Sequence, residues 1–132
     1  MNTSYLITLA DSEVARIEPQ GAALHLVLAA ANAQAAQVGQ PPEAGALLGL
    51  MLVVQQAHTQ GLAVLGDGLG RIRHAALHLG SERLMSLALP WVGAAQGTLE
   101  LEFANGSHIN ITGSDWRLIV PSPVRFIPSL AC

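Results

Sequence analysis

The chain has 132 residues, of which 51% are apolar and only 11% are charged, and its net charge is −3. This length supports one domain with a hydrophobic core and is too short for two, so we predict a single domain over residues 1–132. All six cations are arginines scattered along the chain, and the absence of a basic stripe argues against nucleic-acid binding.

The first predicted elements are short strands separated by turn signals. Residues 5–9 form an apolar strand, and residues 13–18 form a second strand or a turn of helix. Pro19 and Gly21 mark a turn. In the strand predicted over residues 22–29, leucines at every second position share one face.

Two segments of the first half are ambiguous. Residues 29–38 are rich in Ala and Gln and are followed by Gly39 and two prolines. This composition suits a short helix and a mobile loop equally. Residues 46–56 are apolar as far as Val54, rich in Leu and Val, with Gly49 near the middle. We favour a buried strand there, with a helix as the alternative.

The second half continues the pattern of short strands. The predicted strands cover residues 63–65, 71–79, 83–89 and 116–120, and Pro90 ends the third of them. Pro121 and Pro123 then interrupt the chain, which leaves residues 124–132 as an extended C-terminal tail.

The clearest element is a hairpin between residues 97 and 113. Two runs of alternating apolar and polar residues flank Asn105 and Gly106, a strong hairpin signal. A two-residue turn would place apolar side chains opposite polar ones. A three-residue loop instead pairs Leu101 with Ile109 and agrees with the alternation. We therefore predict a type I turn closed by a bulge, with Gly106 in the left-handed conformation.

Turn signals recur about every ten residues, and strands do not alternate regularly with helices. This pattern predicts a mainly β fold, either a small antiparallel β-barrel or a β-sandwich. We expect about six to eight short strands and at most one or two short helices.

Histidines and acids are the candidates for chemistry. His74 and His78 are four residues apart, but Ala75 replaces the Glu of the H-E-x-x-H zinc motif. On a strand the two histidines stand about 13 Å apart, too far to share one ion. No cysteine pair lies nearby to complete a ligand set. We expect no metal and no cofactor, keep both histidines as candidate ligand or interface residues, and assign Glu100 and Glu102 to a solvent face.

The two tryptophans are the remaining candidates. Trp91 follows Pro90 in a loop-like segment, where aromatic side chains often anchor contacts with a ligand or partner. Trp116 begins a predicted strand and is expected mainly in the core, with a ligand or interface contact as the alternative.

The apolar composition also bears on assembly and location. A monomer of this size would expose much apolar surface, so we expect a homodimer. The N-terminus lacks the cationic region of a signal peptide. The longest nearly apolar run, residues 44–54, has about half of the roughly 20 residues that a membrane helix needs. We expect a cytoplasmic protein without membrane contact, and the exclusive use of Arg suggests a GC-rich bacterial source.

Two functional hypotheses follow. The first is a non-catalytic binding module that self-associates and recognises a protein or an apolar ligand, because charge is sparse and no catalytic motif is visible. The alternative is a small enzyme or metal-dependent barrel that uses histidines from distant strands. The candidate histidines are His25, His74, His78 and His108. That alternative requires at least three of them to converge in one concave pocket.

Overall fold

The computed structural model describes residues 3–61 and 67–129. In these residues the chain forms eleven strands: β1 (Ser4–Gln20), β2 (Ala23–Ala36), β3 (Glu43–Leu48), β4 (Met51–Gly61), β5 (Asp67–Leu79), β6 (Glu82–Leu84), β7 (Ser86–Ala88), β8 (Val92–Gly93), β9 (Gly97–Phe103), β10 (His108–Ile119) and β11 (Phe126–Pro128). This part of the chain contains no helix long and apolar enough to cross a membrane.

Six of these strands close an antiparallel barrel. Its order is β1, β2, β4, β10, β9, β5 and back to β1. β3 extends the line of β4 along the same edge of β2, because Ala30 pairs with Leu48 and Val27 pairs with Met51 in one register. The prediction of a mainly β antiparallel barrel is confirmed, and closure protects the edges of the six strands.

Alternation along the strands fills the barrel with side chains. The inward positions are mostly Leu, Ile and Val, while polar residues occupy most outward positions between them. The largest fully buried side chains come from seven of the barrel-forming or adjoining strands and one connection: Ile7, Ile17, Leu26, Leu28, Leu47, Leu50, Leu52, Ile72, Leu77, Leu99, Phe103 and Trp116.

One short segment, residues 82–93, joins three barrel strands. β6 pairs with β5, β7 pairs with β1, and β8 pairs with β10. Leu87 is buried, and Leu84, Leu89 and Trp91 pack against the core. The prediction of one strand over residues 83–89 is therefore wrong in detail, because β6 and β7 have different partners.

A bulge interrupts β1 around Asp11. Asp11 has a positive φ of 65°, and the pairing of β1 with β2 shifts between Thr8 and Glu13. The fully buried Ser12 links β1 and β2 where their backbone pairing is interrupted. Its hydroxyl donates to the Thr8 carbonyl at 2.9 Å and accepts from the Asn32 amide at 2.8 Å. A single side chain thus satisfies backbone groups on both strands.

The hairpin has the predicted form. Leu101 pairs with Ile109 and Leu99 pairs with Ile111. The Gly106 amide donates to the Phe103 carbonyl at 2.9 Å, and Gly106 has a φ of +91°. The three-residue loop with left-handed Gly106 is confirmed.

Other boundaries differ from expectation. Residues 29–36 are neither helix nor loop: they continue β2, which pairs there with β1 and β3. The run 46–56 is strand as favoured, but Gly49, with φ +77°, divides it between β3 and β4. Residues 13–18 belong to β1.

Two predictions concern the later part of the chain. The tail includes β11, which pairs with β3 and is therefore part of the sheet. The strand expected at residues 63–65 lies outside the described residues, as do residues 130–132 of the tail.

Candidate functional site

A polar outer face spans β5, β9 and β10. Strand register places His74 opposite Glu102, and Glu102 opposite His108. In the next outward row, Ala76 lies opposite Glu100, which lies opposite Asn110. These two rows, here called the histidine face, bring together residues that are up to 36 positions apart in the chain.

The histidine face contains a depression of about 460 Å³. Ala76, which is small and buried, is one of its lining residues. Arg83 and Met85, from the segment that joins the barrel strands, also line it. Histidine, carboxylate and amide groups supply most of the remaining lining, so the depression offers many hydrogen-bonding groups.

Histidine and arginine side chains of β5 approach carboxylates of β9 across this face. His74 Nε2 lies 3.8 Å from Glu102 Oε1, and His78 Nε2 lies 3.5 Å from Glu100 Oε1. Arg73 also approaches Glu102, at 3.8 Å. All of these side chains are at least one-third exposed, so each pair contributes little to stability.

The histidines converge only in part. His74 and His108 line the same depression, whereas His58 lines a separate one of about 250 Å³. His25 lies on β2, opposite Val53, on another part of the barrel. Within the described residues, no group of three His, Cys, Asp or Glu side chains is arranged to hold a metal ion.

The two tryptophans that the sequence predicts as ligand or interface residues lie in or near the core. Trp116 is fully buried, and its ring Nε1 has no hydrogen-bond acceptor among the described residues. It cannot meet a ligand without opening the barrel. Trp91 is partly buried against the core, and its carbonyl accepts a hydrogen bond from the Leu118 amide at 3.2 Å. Its role at an interface stays a prediction.

A second outer surface is apolar. Val27, Met51 and Ile119 are cross-strand neighbours on β2, β4 and β10, and their side chains face outward. In the adjacent row, Val53 lies between His25 and Arg117, and Val92 on β8 pairs with Arg117. Val53 itself is buried, so it lies beneath this surface. We call the surface the apolar face; its exposed or partly exposed apolar members are Val27, Met51, Val92 and Ile119.

Sequence reasoning did not identify the apolar face, nor Arg83 and Met85 as residues that line the depression. Val27, Met51 and Ile119 come from three separate predicted strands, so only the pairing of those strands shows that they are neighbours. The pairing of Glu102 with His108 follows from the sequence, because the predicted hairpin register places these residues opposite each other.

Comparison of the chain with protein families, with curated proteins and with solved structures finds no match. Functional inference therefore depends on the geometry of these surfaces.

Proposed function

We propose that the chain is a non-catalytic interaction module that self-associates and recognises a protein partner through the outside of its barrel. The observation that carries this proposal is the apolar face, where outward side chains on β2, β4 and β10 are Val, Met and Ile at positions that polar residues usually occupy in a barrel strand. Apolar surface of this kind gains free energy when a partner removes it from water.

The interior of the barrel is filled with side chains, so a partner would bind to its outer surface. Leu26, Leu52, Phe103 and Trp116 are completely buried within the barrel. Small barrels that bind ligands internally keep a cavity there, whereas these side chains fill the space. An apolar small molecule is therefore a weaker candidate than a protein surface.

The enzyme hypothesis has weaker support. It requires three histidines in one concave pocket, and the depression on the histidine face contains two, His74 and His108. The contacts there between histidine and carboxylate side chains are exposed to water. We therefore assign the histidine face to polar recognition of a partner protein.

Native mass spectrometry and light scattering over a concentration series test self-association. We expect a mass that is a multiple of 13.7 kDa and that decreases on dilution. Ile119→Glu should shift the population to monomer, because it places a charge on the apolar face. Leu6→Glu is the matched control, since Leu6 is 41% exposed and Ile119 is 40% exposed, and Leu6 lies elsewhere on β1. A monomeric wild-type protein at all concentrations would refute the proposal.

A further inference from the structure

The tip of the β9–β10 hairpin is anchored to β5 at its first residue. The Ala104 amide donates to the Arg71 carbonyl at 2.8 Å, and Arg73 Nη2 donates to the Ala104 carbonyl at 2.9 Å. Both arginines lie on β5. Asn105 and Gly106, which follow this anchor, are exposed to water.

The side chain of Asn105 is open to attack by the backbone nitrogen that follows it. Gly106 has no Cβ, so no side chain shields its nitrogen. The Ser107 amide also donates to Asn105 Oδ1 at 2.9 Å. Such a donor withdraws electrons from the side-chain carbonyl and stabilises negative charge on its oxygen when a nucleophile adds to Asn105 Cγ.

We propose that Asn105 is a self-modification site, which converts to aspartate or isoaspartate in the folded barrel. The Gly106 nitrogen loses its proton to hydroxide and forms a bond to Asn105 Cγ. The Cγ–Nδ2 bond breaks, and ammonia leaves with a proton from water. The cyclic imide that results then reacts with a water molecule. Opening at the side-chain carbonyl gives aspartate, and opening at the backbone carbonyl gives isoaspartate.

One hydrogen bond opposes this reaction while the loop is closed. The Gly106 amide donates to the Phe103 carbonyl at 2.9 Å, and the nitrogen must leave this bond before it loses its proton. The net loss of a bond of this kind slows the reaction about 2–13-fold. Because β5 holds Ala104, the rest of the hairpin stays paired while the tip opens.

The other described asparagines lack these features. Asn110 lies within β10, where it is paired with β9 on one side and with β4 on the other. Ile111 follows it, and its branched side chain shields the next nitrogen. Asn32 lies within β2 and is followed by Ala33. Conversion is therefore expected first at Asn105.

The modification changes both the charge and the backbone of the tip. Either product replaces an amide by a carboxylate, which makes the net charge of −3 more negative by one. The new carboxylate is one residue from the Ala104 carbonyl that Arg73 holds, so opposite charges become neighbours. Isoaspartate also lengthens the loop, because the chain then runs through the former side chain. The next pair along the hairpin is Glu102 with His108, so the modified tip borders the histidine face.

Peptide mapping after incubation of the folded protein tests this site. Cleavage after Arg83 and Arg117 gives one peptide that contains both Asn105 and Asn110, so Asn110 is a control within the same molecule. Fragmentation should show aspartate and isoaspartate at Asn105 and an intact amide at Asn110. The rate should increase from neutral to mildly alkaline pH, because the attacking nitrogen must lose a proton. Equal conversion of the two asparagines would overturn the proposal.

The urea-unfolded protein and one variant complete the test. Asn105 should convert about 2–13-fold faster in the unfolded chain than in the folded barrel. If the folded protein is slower by more than about a hundredfold, the reaction requires unfolding and the proposal is wrong. Asn105→Ser keeps a turn-forming hydroxyl that can accept from the Ser107 amide, and it should abolish the acidic form seen by ion exchange. Persistence of that form in the variant would place the modification elsewhere.

Discussion

Ser12 offers a sharp test of how the barrel is stabilised. It lies in the bulge of β1, is completely buried, and bridges the Thr8 carbonyl and the Asn32 amide. Ser12→Ala removes the hydroxyl and leaves the Asn32 amide without an acceptor in a place that water does not reach. A buried unsatisfied donor costs about 1–3 kcal/mol, so the free energy of unfolding should fall by about that amount.

This loss converts into a measurable change in melting temperature. An unfolding entropy of about 2.1 cal/mol/K per residue gives about 0.28 kcal/mol/K for a chain of 132 residues. Thermal unfolding of Ser12→Ala should therefore occur about 4–11 °C lower. The wild type and variant must be compared at one protein concentration, because the proposed self-association would add to the apparent stability.

Ser86→Ala is the control for this prediction. Ser86 Oγ lies 3.2 Å from Thr8 Oγ1, but both hydroxyls are only partly buried, so water can replace the lost bond. Its effect should stay within about 0.5 kcal/mol. If Ser12→Ala unfolds at the same urea concentration as Ser86→Ala, the bridging role of Ser12 is wrong.

Substitutions at two further positions test the packing of the barrel. Gly113→Ala should lower the free energy of unfolding by about 1–3 kcal/mol. A Cβ there would lie 2.4 Å from Val54 Cγ1 and 2.7 Å from the Gln55 carbonyl oxygen. An unchanged urea midpoint would contradict this close approach. Trp116→Ala should cost about 3–5 kcal/mol. Trp116→Phe should lower the free energy of unfolding by less than half as much in the same urea titration. It keeps most of the ring volume and removes a buried N–H that has no acceptor among the described residues. Equal losses for the two variants would show that the indole N–H is satisfied.

The sequence predicts structure best where the interacting residues are close together in the chain. The hairpin of β9 and β10 is an example: alternation fixes the facing side chains, and Gly106 fixes the loop. Residues 29–36 show the opposite case. Ala and Gln favour helix in isolation, but pairing with β1 on one side and β3 on the other overrides that weak preference.

The length of a strand is difficult to predict from the sequence for a related reason. β1 has 17 residues, yet its apolar alternation is broken at the bulge around Asp11 and Ser12. A pattern search divides such a strand in two, because a bulge moves the following side chains to the other face. The bulge itself is stabilised by Ser12 bonding to Asn32, twenty residues away, and this bond has no local sequence signal.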